Sequence, residues 1–225
     1  MRKLKTLFLL VALAAFVSGC SSVRTNLAYR PAGVPAKVGA TVKGVLTPVV
    51  DLREDTKAYP KQVIVHTGYR GGVTYDINDR TVDEVFEDAL SAELQAVGIK
   101  LVRAETVSAP LDGETAGKLR HELATLYPDV QVAFGAKVME FMARSKRELL
   151  TDKVRVSAWV KFYVLDVKTG DLLWSDYKTE WDSTFATMDR EKMIKQLNEA
   201  LTSLMHKAVR DNGSLRDLLT KVSTR

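Results

Sequence analysis

Val154-Arg155-Val156-Ser157-Ala158-Trp159-Val160-Lys161-Phe162-Tyr163-Val164 is the stretch on which the fold turns. Val154, Val156, Ala158, Val160, Phe162 and Val164 alternate strictly with Arg155, Ser157, Trp159, Lys161 and Tyr163. Successive side chains of a strand point to opposite faces, so this period of two predicts a strand with one deeply buried face. Upstream, Val130, Val132, Phe134, Ala136 and Val138 alternate in the same way with Gln131, Ala133, Gly135 and Lys137. Downstream, Asp166 to Asp171, centred on Lys168-Thr169-Gly170, predicts a turn that returns the chain as Leu172 to Phe185, the partner strand of a long hairpin.

Such a sheet needs helices to cover it. Thr81 and Glu84 have the spacing of a capping box, in which the hydroxyl and the carboxylate each satisfy an orphan backbone N–H. Val82, Val85, Phe86, Ala89, Leu90, Leu94 and Val97 follow at helical spacing, and Gly98 supplies a left-handed stop. Ile99 to Val102 then reads as a strand. A second helix is expected from Asp112 or Thr115 through Leu119, Leu123 and Leu126, stopped by Pro128. A third carries Met193, Ile194, Leu197, Leu201, Leu204, Met205, Ala208 and Val209 and ends at Asn212-Gly213, after which Ser214 is expected to cap a short last helix. Before the first helix, Thr41 to Leu52 reads as a strand made irregular by Pro48, Val63-Ile64-Val65 as a short strand, and Gly68, Gly71 and Gly72 as turns before Val73 to Ile77. The expectation is one α/β domain, residues 40–225. Its mixed sheet would be dominated by a late antiparallel hairpin or meander and covered by two or three amphipathic helices.

The start of the chain has a different logic. Eleven unbroken apolar residues, Leu7 to Val17, follow a head containing Arg2, Lys3 and Lys5. That run is shorter than the ~20 residues a membrane-crossing helix needs, and it has the form of a secretory signal. Val17-Ser18-Gly19-Cys20 resembles the bacterial lipobox, and the chain has no other cysteine. The resemblance implies a signal peptide over 1–19, cleavage before Cys20 and acylation of its thiol, with outer-membrane placement because Ser21, rather than Asp, follows. Several acyl chains hold a protein durably where one does not. Residues 20–39, with Ser21, Ser22, Asn26, Pro31, Gly33 and Pro35, read as a flexible tether.

Without residues 1–19 the chain carries 30 basic and 28 acidic side chains, a composition that removes the main support for nucleic-acid binding. One cysteine excludes an internal disulfide. The order of elements, the early strand ending in Asp51-Leu52-Arg53, the helix ending in Gly98-Ile99, the strand 130–141 and the Asp166–Gly170 turn followed by Trp174 resemble the YajG-type lipoproteins. They are also similar to envelope lipoproteins whose domain resembles the N-terminal domain of TolB and the periplasmic core of the curli secretion lipoprotein. The resemblance implies a periplasmic domain, tethered to the outer membrane, that works through protein partners. It carries no catalytic residue and no cofactor.

His66, His121 and His206 have no ligand spacing, so a metal site is not expected. Gly68-Tyr69-Arg70-Gly71-Gly72 reads as a turn between strands rather than a phosphate cradle, because no helix N-terminus follows. Asp51, Arg53, Glu54 and Asp55 could supply acid and base groups, but neighbours on a strand alternate faces and a local ion pair is the expectation. Arg144, Lys146, Arg147 and Lys153 read as a solvated basic turn, with anionic head groups as the alternative. Trp159, Trp174 and Trp181, with Tyr163 and Tyr177, concentrate in one hairpin. On the face opposite the helices, Trp159, Lys161, Tyr163 and Trp174 are the candidates for binding an envelope protein, a glycan or a second copy. The leading expectation is therefore a non-catalytic lipoprotein component of an envelope assembly. The alternatives are a small-ligand module holding lipid or glycan between sheet and helix, and a hydrolase built on Asp51.

Overall fold

The computed structural model describes residues 23–25, 27, 29, 42–54, 62–68, 71–77, 80–104, 106–185 and 190–225. Cys20, the apolar run before it, Asp55 and the pair Tyr69-Arg70 lie outside the described residues.

The expected hairpin is the spine of the molecule. Strand β7 (Val132–Arg147) pairs antiparallel with β8 (Asp152–Asp166), and β8 pairs antiparallel with β9 (Leu172–Phe185). Strand β7 continues well past Val138, where its visible alternation stops. The register explains why: Val138 pairs Val160 but Glu140 pairs Trp159, so Met139 is an extra residue, a β-bulge. A bulge shifts the phase of alternation by one. Before it, Phe134, Ala136 and Val138 face the helices; after it, Phe141 and Ala143 do.

The other edge of β7 is shared by three short parallel strands in succession: β2 (Lys43–Leu46), β3 (Val50–Asp51) and β4 (Gln62–Gly68). Pro48, which cannot donate to a ladder, sits in the gap between β2 and β3. Thr47 N–H bonds the Phe134 carbonyl at 2.9 Å and Leu52 N–H the Val138 carbonyl at 2.8 Å, which keeps the chain on the edge of β7 across that gap. Beyond β4 the sheet continues through β5 (Gly71–Ile77), joined to it by a hairpin whose last pair is Gly68 with Gly71. Beyond β2 it ends at β6 (Lys100–Arg103).

Strand β1 (Val23–Thr25) pairs parallel with β5, and Leu27 is buried in the main core. Val23–Thr25 and Leu27, which fall within the stretch expected as a tether, thus find a backbone partner in β5 and an apolar one in the core.

Helix α1 (Val82–Ala96) starts with the expected capping box, the Glu84 carboxylate accepting from Thr81 N–H at 2.7 Å, and stops at Gly98 with φ +98°. It lays Val85, Phe86, Ala89, Leu90 and Leu94 on the sheet, with Phe86 edge-on to Phe141 at 5.0 Å. Helix α3 (Arg190–Met205) covers β8 and β9 on the same face and runs into a π turn, His206–Arg210. Helix α4 (Gly213–Ser223) follows, capped by Asn212 rather than Ser214: the Asn212 Oδ1 accepts from Leu215 N–H at 3.0 Å. An Asx cap satisfies the same orphan donor as a serine would, two residues earlier.

Helix α2 (Ala116–Leu126) lies on the opposite face, over one end of the sheet only. With Leu111 it covers Val45, Ala133, Tyr163 and Leu165. Gly135 makes this possible, since a Cβ there would lie 2.8 Å from the Leu111 carbonyl oxygen. The architecture is thus a mixed α/β sheet, as expected. Helices cover one face throughout and the other face at one end.

Candidate functional site

Only the part of the sheet that α2 leaves uncovered can offer a site on its second face. Strand β8 sends Arg155, Ser157, Trp159, Lys161 and Tyr163 to that face, and β9 sends Trp174, Asp176, Lys178, Glu180 and Asp182 opposite them. The Met139 bulge adds Glu140, Met142 and Arg144 from β7.

Tyr163 does not belong to the accessible surface. It is 8% exposed, packed in the cluster with Leu111 and Leu119, and burial pushes its hydroxyl pKa up. Its cross-strand partner Trp174 lies past the edge of α2 and remains 60% exposed. Trp181 and Tyr177 point the other way, against the helix-side core, so the aromatic cluster divides between two faces. Parity along β9 requires this, because 174 and 181 differ by an odd number.

What remains at the surface is Trp174, exposed, with Trp159 and Lys161, half-buried, and their neighbours. The Trp159 indole N–H donates to Asp176 at 3.2 Å, and the Lys161 ammonium sits 5.8 Å from the Trp159 ring centre. Arg155 makes two bonds to Asp182, at 2.8 and 3.1 Å, and lies 3.5 Å from Glu180. The face is therefore charge-paired across the β8–β9 ladder rather than cationic, as the β8 sequence alone suggested. Beneath Trp159, Ser157 Oγ donates to Glu140 at 2.6 Å. A cleft of about 240 Å³ opens beside Trp159, lined among others by Met139, Glu140, Met142 and Glu54. Two partly exposed indoles flanked by satisfied charges suit a desolvating contact with a protein surface, where aromatic anchors carry most of the binding energy.

The other candidates resolve into structure. Arg144, Lys146, Arg147 and Lys153 lie on β7 and β8, not in a turn; the turn is confined to 148–151. Arg147 pairs with Asp152 at 3.0 Å, Lys153 with Glu148 at 3.0 Å and Arg144 with Glu140 at 3.3 Å. Asp51 and Arg53 form the expected local ion pair, and it is buried, with side chains 8% and 6% exposed. Arg53 Nε meets both Asp51 oxygens at 2.9 and 3.0 Å and Nη2 meets Oδ2 at 2.7 Å. Its Nη1 donates to the carbonyls of Gln62 and Phe141 at 2.8 and 3.2 Å. The Asp51 carboxylate is thus engaged by Arg53 in joining β3, β4 and β7. His121 is exposed on α2, and among the described residues no group of His, Cys, Asp and Glu converges as metal ligands. Between sheet and helices, Phe86, Phe134, Phe141, Phe162, Met193 and Leu197 are buried in the region where the ligand-module reading places its ligand.

One cluster escaped the sequence reading. Glu93 on α1 is fully buried and accepts from Tyr29 Oη and from Arg210 Nε, with Arg210 Nη2 at 3.1 Å from its other oxygen; His206 Nε2 is 3.9 Å away. The π turn at 206–210 aims Arg210 at it. Burial and the Glu93 carboxylate both push the Tyr29 pKa upward. The signal was present: Glu93 lies seven residues after Phe86, on the apolar stripe of α1, where a lone carboxylate demands partners.

No family model matches the chain, and no curated protein matches it in sequence. Among solved structures, it is similar to protein XCC0632 of Xanthomonas campestris, assigned to DUF330, at 9% identity and TM-score 0.57, over 90% of this chain and 100% of that one. Weaker likenesses include a PelC dodecamer subunit from Paraburkholderia phytofirmans (17% identity, TM-score 0.38, 87% and 97% covered) and lipoprotein GNA1162 from Neisseria meningitidis (12%, 0.36, 72% and 96%). The first is a likeness of fold alone.

Proposed function

We propose that the chain is an outer-membrane lipoprotein, anchored through Cys20, whose α/β domain acts without catalysis by docking a protein of the cell envelope on the Trp159–Lys161–Trp174 face. The observation that carries the docking reading is the uncovered half of the second sheet face. A helix shields Tyr163 at one end, yet Trp174 beside it stays 60% exposed. A soluble domain gains nothing by leaving a large indole in water, whereas an interface uses such a residue as an anchor. The anchoring reading is supported by the Leu7–Val17 run leading into Val17-Ser18-Gly19-Cys20. No helix among the described residues is long and apolar enough to cross a membrane.

The test is a photo-crosslinking amino acid at position 159 in intact cells, with position 217 on α4 as control. A discrete adduct at 159 and none at 217 is expected. Equal or absent crosslinking at both would overturn the docking reading. The mass of the N-terminal peptide checks the acylation of Cys20 independently.

A further inference from the structure

The turn between β7 and β8 is Glu148-Leu149-Leu150-Thr151, and its two leucines are 88% and 83% exposed. Two adjacent leucines held fully in water at the tip of a long hairpin are not core residues that failed to find cover. The ladder below the tip runs in register from Arg147–Asp152 to Glu140–Trp159, and Glu148 N–H bonds the Thr151 carbonyl at 2.8 Å.

The charge around the tip is one-sided. Residues 144–153 hold four basic and two acidic side chains. Lys146 stands directly opposite Lys153, and Arg144 opposite Arg155. Glu148 answers Lys153, Glu140 answers Arg144 and Asp182 answers Arg155, and residues 144–153 still carry a net charge of +2.

The register also places the start of the chain at this end. Val23 is level with Tyr75 of β5, Tyr75 with Ile64 of β4, and Ile64 with Ala143 of β7. Strand β1 runs antiparallel to β7, so the chain enters β1 from the side of the β7–β8 turn. Cys20 precedes Val23 by three positions in the sequence, a reach of at most about 11 Å. From Ala143 to Arg147 the strand rises about 13 Å.

From this juxtaposition we infer that the Leu149-Leu150 tip is a second membrane contact. It inserts into the surface of the bilayer that holds the acyl chains of Cys20, with the basic strand ends against anionic head groups. Shallow insertion of apolar residues beside basic ones is how peripheral proteins fix their orientation on a bilayer. The contact would set the domain upright on the membrane. The inference rests on the anchoring part of the proposed function.

The experiment uses the full acylated protein in vesicles of phosphatidylethanolamine and phosphatidylglycerol. An environment-sensitive dye is placed at Thr151→Cys and, as control, at Gly113→Cys, which is exposed near the far end of β7. A blue shift and quenching by nitroxide-labelled lipid are expected at 151 and not at 113. Adding Leu149→Asp and Leu150→Asp should abolish both signals while the protein stays on the vesicles and keeps its melting temperature. A dye at 151 that stays in water on anchored protein overturns the inference. So does a blue shift that follows protein concentration at constant lipid, which would mean that a second copy covers the tip. Absence of acyl mass at Cys20 overturns the anchoring reading first, and is read by mass spectrometry rather than by the dye.

Discussion

Replacing Asp51 by Asn separates a structural role for this carboxylate from a chemical one. The pair is buried, and Arg53 holds three short contacts to Asp51 besides its two carbonyl acceptors. Asparagine keeps one acceptor oxygen but removes the negative charge that faces the buried guanidinium. Removing one partner of a buried pair costs roughly 3–5 kcal/mol, and the retained bonds put the expected loss at about 2–4 kcal/mol. For a chain of this size each kcal/mol lowers Tm by about 2–4 °C, so a fall of about 4–16 °C is expected. Urea unfolding at neutral pH, followed by far-ultraviolet circular dichroism and by tryptophan fluorescence, measures it directly. The two probes should coincide and the denaturant slope should not change. The double variant Asp51→Leu with Arg53→Met, which removes both charges, should recover part of the loss. A loss below about 1 kcal/mol, the range of a solvated surface pair, would refute the reasoning. So would a double variant less stable than the single one.

Three further outcomes are expected. Gly135→Ala should cost about 1–3 kcal/mol by pushing the Leu111 backbone off the sheet, while Gly113→Ala, with nothing within 4 Å, should cost far less in the same urea assay. Tyr163→Ala should lose about 3–5 kcal/mol, as for other buried aromatics, whereas Trp174→Ala should stay within about 0.5 kcal/mol yet lower the yield of the adduct formed from position 159. Burial of the Asp112 carboxyl is outweighed by the Lys137 ammonium at 2.6 Å and by the N–H groups of Thr115 and Glu114, which together hold its pKa at about 2 instead of 3.8. A pKa depressed on folding adds stability above the unfolded value and gives it up as pH falls. The stability gap between the native chain and Asp112→Asn should therefore be full above pH 3.8 and close toward pH 2; a gap independent of pH over that range would exclude this role.

Much of the fold is legible without coordinates because its rules are local. The alternation in 154–164 states that β8 buries one face, the Thr81–Glu84 box states where α1 begins, and Gly98 states where it ends. Pro48 announces a broken edge strand. The bulge at Met139 is another matter. A single extra residue leaves no mark in composition, and it looks like the end of a strand because the alternation changes phase there. Half of β7, and with it the true position of Arg144, Lys146 and Arg147, was hidden for that reason.

The site divides along the same line. Residue parity on β8 puts Trp159, Lys161 and Tyr163 on one face, and the sequence by itself determines that much. It also determines, from Leu7 to Cys20, an export signal's pattern and, in Asp51-Leu52-Arg53, a pair close enough to meet. Which part of the face is accessible was decided only in three dimensions, where Leu111 and α2 close over Tyr163 and stop short of Trp174. Glu93 found Tyr29 and Arg210 in the same way, across 64 and 117 residues of chain. The physical reason is one of range. Periodicity reports how an element divides its own side chains between two faces. What covers a face depends on the packing of segments remote in sequence, and that is settled only when the whole chain competes for the same buried surface.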